Sequence, residues 1–273
     1  MNEYMTEQEI IFRNRKVAYS IGGNGFPLVF IHGFCEDKSM WNDFVEFFVA
    51  DYQVIMIDVG GFGASELPIE PTIAEMAMQV NAVLRVEGIQ KCLLIGHSMG
   101  GYIAMDFAEL FGDKLIGITM FHTHPFGDTV TKKRNRNKGI LFLNKYGTSK
   151  YVASLMPKLF FAKARVTHKI VLERLIERAK RYSKEAIISG LIAMRDRQNQ
   201  ALVLEKIDCP VQFIVGKEDT VIDWSQSMGQ LHLPRIASIH LLENVGHLGM
   251  FEVKNVTQKL VYDFVQFSIK NYF

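Results

Sequence analysis

Cys92-Leu93-Leu94-Ile95-Gly96-His97-Ser98-Met99-Gly100-Gly101 is the stretch that decides how this 273-residue chain reads. Four apolar residues run without a break, as in a strand buried on both faces. A Gly-x-Ser-x-Gly turn follows. Ile103, Ala104, Phe107 and Ala108 then recur at helical spacing. The reading is strand, sharp turn, helix. Side chains at Gly96 and Gly100 would crowd such a turn. The hydroxyl of Ser98 would stand exposed at a helix N-terminus, where backbone N–H groups have no acceptor.

Similar apolar runs lie on either side. They are Leu28–Ile31, Val54–Ile57, Leu115–Met120, Val211–Val215 and Ile239–Leu242. Helical patterns fall between them. Thr72 is a cap for a helix carrying Ile73, Met76, Ala77, Val80, Val83 and Leu84, and Gly88 ends it. Asn255–Ile269 reads as a C-terminal helix. Strands alternating with helices predict an α/β fold, with a mostly parallel central sheet flanked by helices on both faces. Glu9–Phe12 and Val17–Ser20, joined through Arg13–Lys16, predict an N-terminal antiparallel hairpin. Residues 122–200 break the rhythm: they offer helices and no strand. The expected organisation is a core of residues 1–121 and 201–273, interrupted by a helical insertion at 122–200.

Ser98 needs a base, because a free hydroxyl is a weak nucleophile. His247 lies in Asn244-Val245-Gly246-His247, just past a strand. Asp219 follows Val211–Val215 and is the favoured carboxylate to fix the tautomer of His247. Glu218 and Asp223 are its competitors. His97 is too close to the turn to reach round to Ser98. His122 and His124 sit where the insertion begins and are candidates for touching substrate or for a structural role.

The order Ser98, Asp219, His247, with its Gly-x-Ser-x-Gly turn, resembles the α/β-hydrolase fold superfamily of serine hydrolases. The resemblance covers essentially the whole chain. His32-Gly33-Phe34 is similar to the family's His-Gly segment. By that resemblance the backbone N–H groups of Phe34 and Met99 form the oxyanion hole. Asp58–Ser65 is similar to a structural turn of the family. Glu252, five residues after His247, is also a familiar feature. The resemblance implies an esterase-like hydrolase that works through an acyl-enzyme, and it makes 122–200 a lid. A carbon–carbon bond hydrolase or an acyltransferase on the same triad is the alternative, followed by a ligand-binding receptor that keeps the fold. Haloalkane dehalogenases and epoxide hydrolases carry an aspartate where Ser98 stands, which argues against both. His32, Trp41, His122, His124, Phe126, Phe160 and Leu248 are the candidate substrate contacts.

Composition narrows the rest. The chain is 48% hydrophobic and has a formal net charge of +2, which argues against a general nucleic-acid binder. That balance hides a contrast. Residues 122–200 hold 18 of the 31 Lys and Arg but 5 of the 29 Asp and Glu. The insertion is therefore about +13 and the remainder about −11. Three readings compete: a solvated face paired with the acidic core, steering of an anionic substrate, or contact with an anionic surface. Cys35, Cys92 and Cys209 fit no disulfide or zinc pattern and favour a reducing compartment. The polar N-terminus lacks a secretory pattern, and no apolar run approaches the ~20 residues of a membrane span. A cytoplasmic protein with a small-molecule substrate is expected, with no metal, no cofactor and no stable membrane insertion.

Overall fold

The computed structural model describes residues 4–273. Its centre is an eight-stranded sheet. In chain order the strands are β1 (Met5–Phe12), β2 (Arg15–Gly22), β3 (Pro27–Ile31), β4 (Gln53–Ile57), β5 (Cys92–His97), β6 (Leu115–Phe121), β7 (Val211–Gly216) and β8 (Ala237–Leu242). Across the sheet their order is β1-β2-β4-β3-β5-β6-β7-β8. Strands β3 to β8 pair in parallel, whereas β1–β2 and β2–β4 are antiparallel. The α/β class and the N-terminal hairpin are as the sequence predicts. The hairpin turn is tighter than expected. Only Arg13 and Asn14 lie outside the ladder, both at positive φ (49° and 60°), and Phe12 pairs directly with Arg15. Positive φ at both central residues gives the turn the twist that matches its strands.

The continuous apolar runs are explained by position. Strand β5 is buried along its whole length, as are β6 and β7. The edge strand β8 alternates between exposed and half-buried residues, because one face meets solvent.

Helices cover the sheet. They include α1 (Ile73–Val86) and α2 (Met99–Phe111). Thr72 caps α1 as expected, its hydroxyl accepting from the Glu75 amide at 3.1 Å. Between β6 and β7 the chain forms α3 (Val130–Tyr146), α4 (Thr148–Leu159), α5 (Lys169–Ala179) and α6 (Lys184–Asp196). The last helix, α7 (Lys254–Tyr272), packs against β6 and β7. Some of the basic residues between β6 and β7 do pair with acids of the rest of the chain. Arg178 reaches Asp37 at 3.0 Å, Arg174 reaches Asp43 at 3.5 Å and Lys132 reaches Asp223 at 3.3 Å. No helix among the described residues is long and apolar enough to cross a membrane.

The strand order places the site. The chain leaves β3 toward β4 on one side and returns to β5 on the other. Such a reversal opens a crevice at the carboxyl ends of the two strands. Phe34 follows β3 and Ser98 follows β5, so both stand at that crevice.

Candidate active site

Ser98 sits between the end of β5 and the start of α2 with φ 52° and ψ −112°. Such a left-handed backbone costs an ordinary residue about 1–3 kcal/mol and persists only where its surroundings enforce it. Here they do. The Ser98 amide donates to the Phe121 carbonyl at 3.0 Å, and the Thr123 hydroxyl donates to the Ser98 carbonyl at 2.8 Å. The neighbouring glycines are dictated by space. A Cβ on Gly96 would lie 2.4 Å from the Gly100 carbonyl oxygen, and one on Gly100 would lie 2.4 Å from that of Ile31. Met99 opens α2, so its N–H is among those the helix leaves without an acceptor.

His247 and Asp219 come together from the loops after β8 and β7. The Nδ1 of His247 and Oδ2 of Asp219 are 2.7 Å apart. The other Asp219 oxygen accepts the amides of Val221 (2.8 Å) and Ile222 (3.0 Å), which fixes the carboxylate plane. Burial would push the Asp219 carboxyl up. The charge and hydrogen bond of His247 oppose it, helped by His122 and the Ile222 amide, and hold it down to about 2. Burial would likewise lower His247, but Asp219 reverses this, with Glu36 and Glu252 adding to the effect, and the imidazole lies above its usual value. Neither competing acid, Glu218 or Asp223, bonds His247.

The loop of His247 is pinned from three sides. Its amide donates to the Leu159 carbonyl at 2.7 Å. Glu252 accepts the amides of Gly246 (3.0 Å), Leu248 (3.3 Å) and Phe161 (3.2 Å). His97 Nε2 meets the His247 carbonyl at 2.9 Å, so that nitrogen must carry a proton. The other ring nitrogen of His97 faces Glu36 Oε2 at 3.0 Å, and the same oxygen accepts the Gly33 amide at 3.0 Å.

Ser98 and His247 line one cavity of about 70 Å³, together with Phe34, Glu36, His97, Tyr102, Arg136, Tyr151, Leu155, Leu159, Met194 and Val221. Counting about 10–15 Å³ for each water-sized occupant, that is room for about five to seven of them. The other residues singled out in the sequence lie outside its wall. His32 is fully buried; Nδ1 donates to the Gly33 carbonyl at 2.8 Å and Nε2 accepts the Val59 amide at 3.0 Å. Trp41 is fully buried against Phe30, Phe44 and Phe121. His122 is buried between the amides of Gly216 (3.1 Å) and Gly249 (3.2 Å), and burial holds its imidazole well below the usual value. His124 accepts the Phe126 amide at 3.1 Å and stacks on the Phe126 ring. Phe160 and Leu248 are buried in the core.

Glu36, Tyr102, Arg136, Tyr151, Leu159, Met194 and Val221 were not singled out. For Arg136 a signal existed, since it lies in the densest basic run, 132–138. Nothing in the string separates it from the other cations there. No group of three or more His, Cys, Asp or Glu among the described residues could hold a metal ion.

A family model described as the alpha/beta hydrolase fold matches residues 27–253. The chain belongs to the alpha/beta hydrolase fold family. Within it, the chain is 26% identical, over 96% of its length and 94% of the relative's, to a Pseudomonas 2-hydroxy-6-oxononadienedioate/2-hydroxy-6-oxononatrienedioate hydrolase. It is 25% identical to a putative 2-succinyl-6-hydroxy-2,4-cyclohexadiene-1-carboxylate synthase of Bacillus subtilis, over 91% of this chain and 95% of that one. In structure it is similar to a thermophilic esterase from Thermogutta terrifontis, with a TM-score of 0.90 at 23% identity, covering 96% of this chain and 99% of that chain.

Proposed function

We propose that the protein is a serine hydrolase that cleaves an ester-like bond of a small molecule through an acyl-enzyme. One observation carries this reading. The bonded pair Asp219–His247, held 2.7 Å apart on two strand-end loops, meets a conformationally constrained Ser98 in a single cavity. His247 Nδ1 is committed to Asp219, which leaves Nε2 as the basic nitrogen.

In this mechanism Nε2 takes the Ser98 proton as Oγ attacks the carbonyl carbon. The oxyanion is received by the N–H groups of Phe34 and Met99; each such donor typically contributes about 10²–10³ in rate. The alcohol leaves with the proton from His247. Water, deprotonated in turn by His247, then releases the acid. Residues 122–200 serve as the lid, with Arg136, Tyr151, Leu155, Leu159 and Met194 forming its contribution to the cavity wall. The cavity volume favours a short acyl group. Three buried free thiols fit a reducing cytoplasm.

Carbon–carbon bond cleavage on the same residues is the second reading. The name of the Pseudomonas relative favours it. A fluorophosphonate probe should label the protein, and Ser98→Ala should lose both labelling and turnover of short-chain esters, the latter by up to ~10⁶-fold. Turnover that survives Ser98→Ala defeats the proposal. Labelling together with cleavage of ring-fission diketones, but of no ester, selects the second reading.

A further inference from the structure

Arg136 is set apart from the other cations of its run. Lys133, Arg134 and Lys138 are exposed and the half-buried Lys132 pairs with Asp223, whereas the Arg136 side chain is 22% exposed and lines the same cavity as Ser98. Its Nε donates to Asp128 Oδ2 at 3.0 Å. Its two Nη groups bond no described residue. Asp128 is not free to neutralise it alone. The second Asp128 oxygen accepts Arg197 Nη1 at 2.5 Å, and Arg197 and Asp128 are both almost fully buried. Both Arg197 Nη groups are occupied elsewhere as well: Nη1 also donates to the Met194 carbonyl (2.6 Å) and Nη2 to the Phe126 carbonyl (2.8 Å), and its guanidinium lies 3.9 Å from the centre of the Tyr102 ring, while its buried Nε has no partner.

Two guanidinium groups thus share the Asp128 carboxylate, which leaves the Arg136 Nη groups without an acidic partner. The cations also reach His124, where burial and then Arg197, Lys132 and Arg136 push the imidazole down to about 3 against the pull of Asp128. Glu36, the one carboxylate in the cavity wall, meets His97 Nδ1 and the Gly33 amide through Oε2 and does not bond Arg136; its Oε1 has no partner. A guanidinium with two free donors matches a carboxylate in a planar, two-point contact. In a partly buried site that contact is strong, because water competes poorly.

We propose that Arg136 is an anion-recognition residue of the Ser98 cavity, and that the substrates carry a carboxylate on the acyl group itself. The inference rests on the serine hydrolase reading. In a cavity of about 70 Å³ that holds both Ser98 and Arg136, carboxylate and scissile carbonyl belong to the same short acyl chain, as in half-esters of small dicarboxylic acids whose alcohol extends toward the opening.

The test compares monoethyl malonate and monoethyl succinate with ethyl propionate and ethyl butyrate, which carry a methyl in place of the carboxylate and no charge. In the wild type, kcat/KM should favour the half-esters. Arg136→Gln should lower the ratio of half-ester to neutral-ester kcat/KM by about 10–100-fold, mainly through KM, as expected for loss of a charged hydrogen-bond partner. Arg136→Lys keeps the charge without the fork and should restore part of the ratio. An equal ratio in all three proteins, with the neutral esters turned over, overturns the inference. Calorimetric titration of Ser98→Ala protein with monoethyl succinate reads the anion site without turnover. Binding that disappears on adding Arg136→Gln upholds it even where no ester is cleaved and no probe labels Ser98, an outcome that would instead sink the hydrolase reading. Absence of such binding in the folded Ser98→Ala protein overturns it.

Discussion

Asp219→Asn separates two contributions of one carboxylate. The first is electrostatic. His247, His122 and the Ile222 amide bring Asp219 from 3.8 down to about 2 against the upward push of burial, a difference of about 2 kcal/mol. An imidazolium forming on His247 in the transition state would lose support of that order, about 10–100-fold in rate. The second contribution is directional. Asp219 Oδ1 accepts two amides, from Val221 and Ile222. The carbonyl of an asparagine must therefore occupy that position, and its NH₂ must face His247 Nδ1. Nδ1 then becomes an acceptor, the ring proton moves to Nε2, and Ser98 loses its base. The expected fall in kcat/KM on a short-chain ester is about 10⁴-fold. A variant within tenfold of wild type would refute the assignment, and a loss of no more than about 100-fold would refute the tautomer argument. Stability gives an independent reading. A depressed carboxyl stabilises the fold above its unfolded value and loses that contribution as pH falls toward the folded value. Between pH 5 and pH 2 the wild type should lose about 2 kcal/mol more than the variant in urea unfolding.

Two further outcomes follow from the same geometry. Gly100→Ala forces a Cβ to within 2.4 Å of the Ile31 carbonyl oxygen, where only backbone can yield; it should destabilise the protein by about 3 kcal/mol or more, measured by chemical denaturation, through strain at the turn. Glu36→Gln removes a negative charge that raises His247, so the base should be free at lower pH and the acid limb of the kcat/KM profile should move down. The glutamine atom at the Oε2 position can accept the Gly33 amide or donate to His97 Nδ1 but not both, and an unmoved limb in the folded variant would show that Glu36 has no hold on the base.

What could be read in the sequence was local. The run Cys92–Ile95, the glycines around Ser98 and the Thr72 cap each state their conformation through neighbours a few residues away. The strand-end positions of Asp219 and His247 followed from the apolar runs before them. The cavity wall was less legible because it is assembled from distant turns of chain. Trp41 and Phe160 are large and apolar, which suits a pocket and a core equally; the structure packs both into the core. Helix α3 has a largely polar sequence and buries only Leu143. Its periodicity therefore could not reveal that Arg136 is the cation directed inward. That depends on Asp128 and Arg197, which meet it only in three dimensions.

The hydrogen bonds that shape this cavity have an unusual reach along the chain. His97 to His247 spans 150 residues, His122 to Gly249 spans 127, and Glu36 to His97 spans 61. Closing longer loops adds little to the equilibrium cost, about 0.6 kcal/mol for each doubling. The weight falls on kinetics, since distant pairings slow folding. During refolding, helices and individual strands can form while the pieces of the cavity are still apart. Reactivity at Ser98 is therefore a report on the completed chain, and it should recover after the helical signal does.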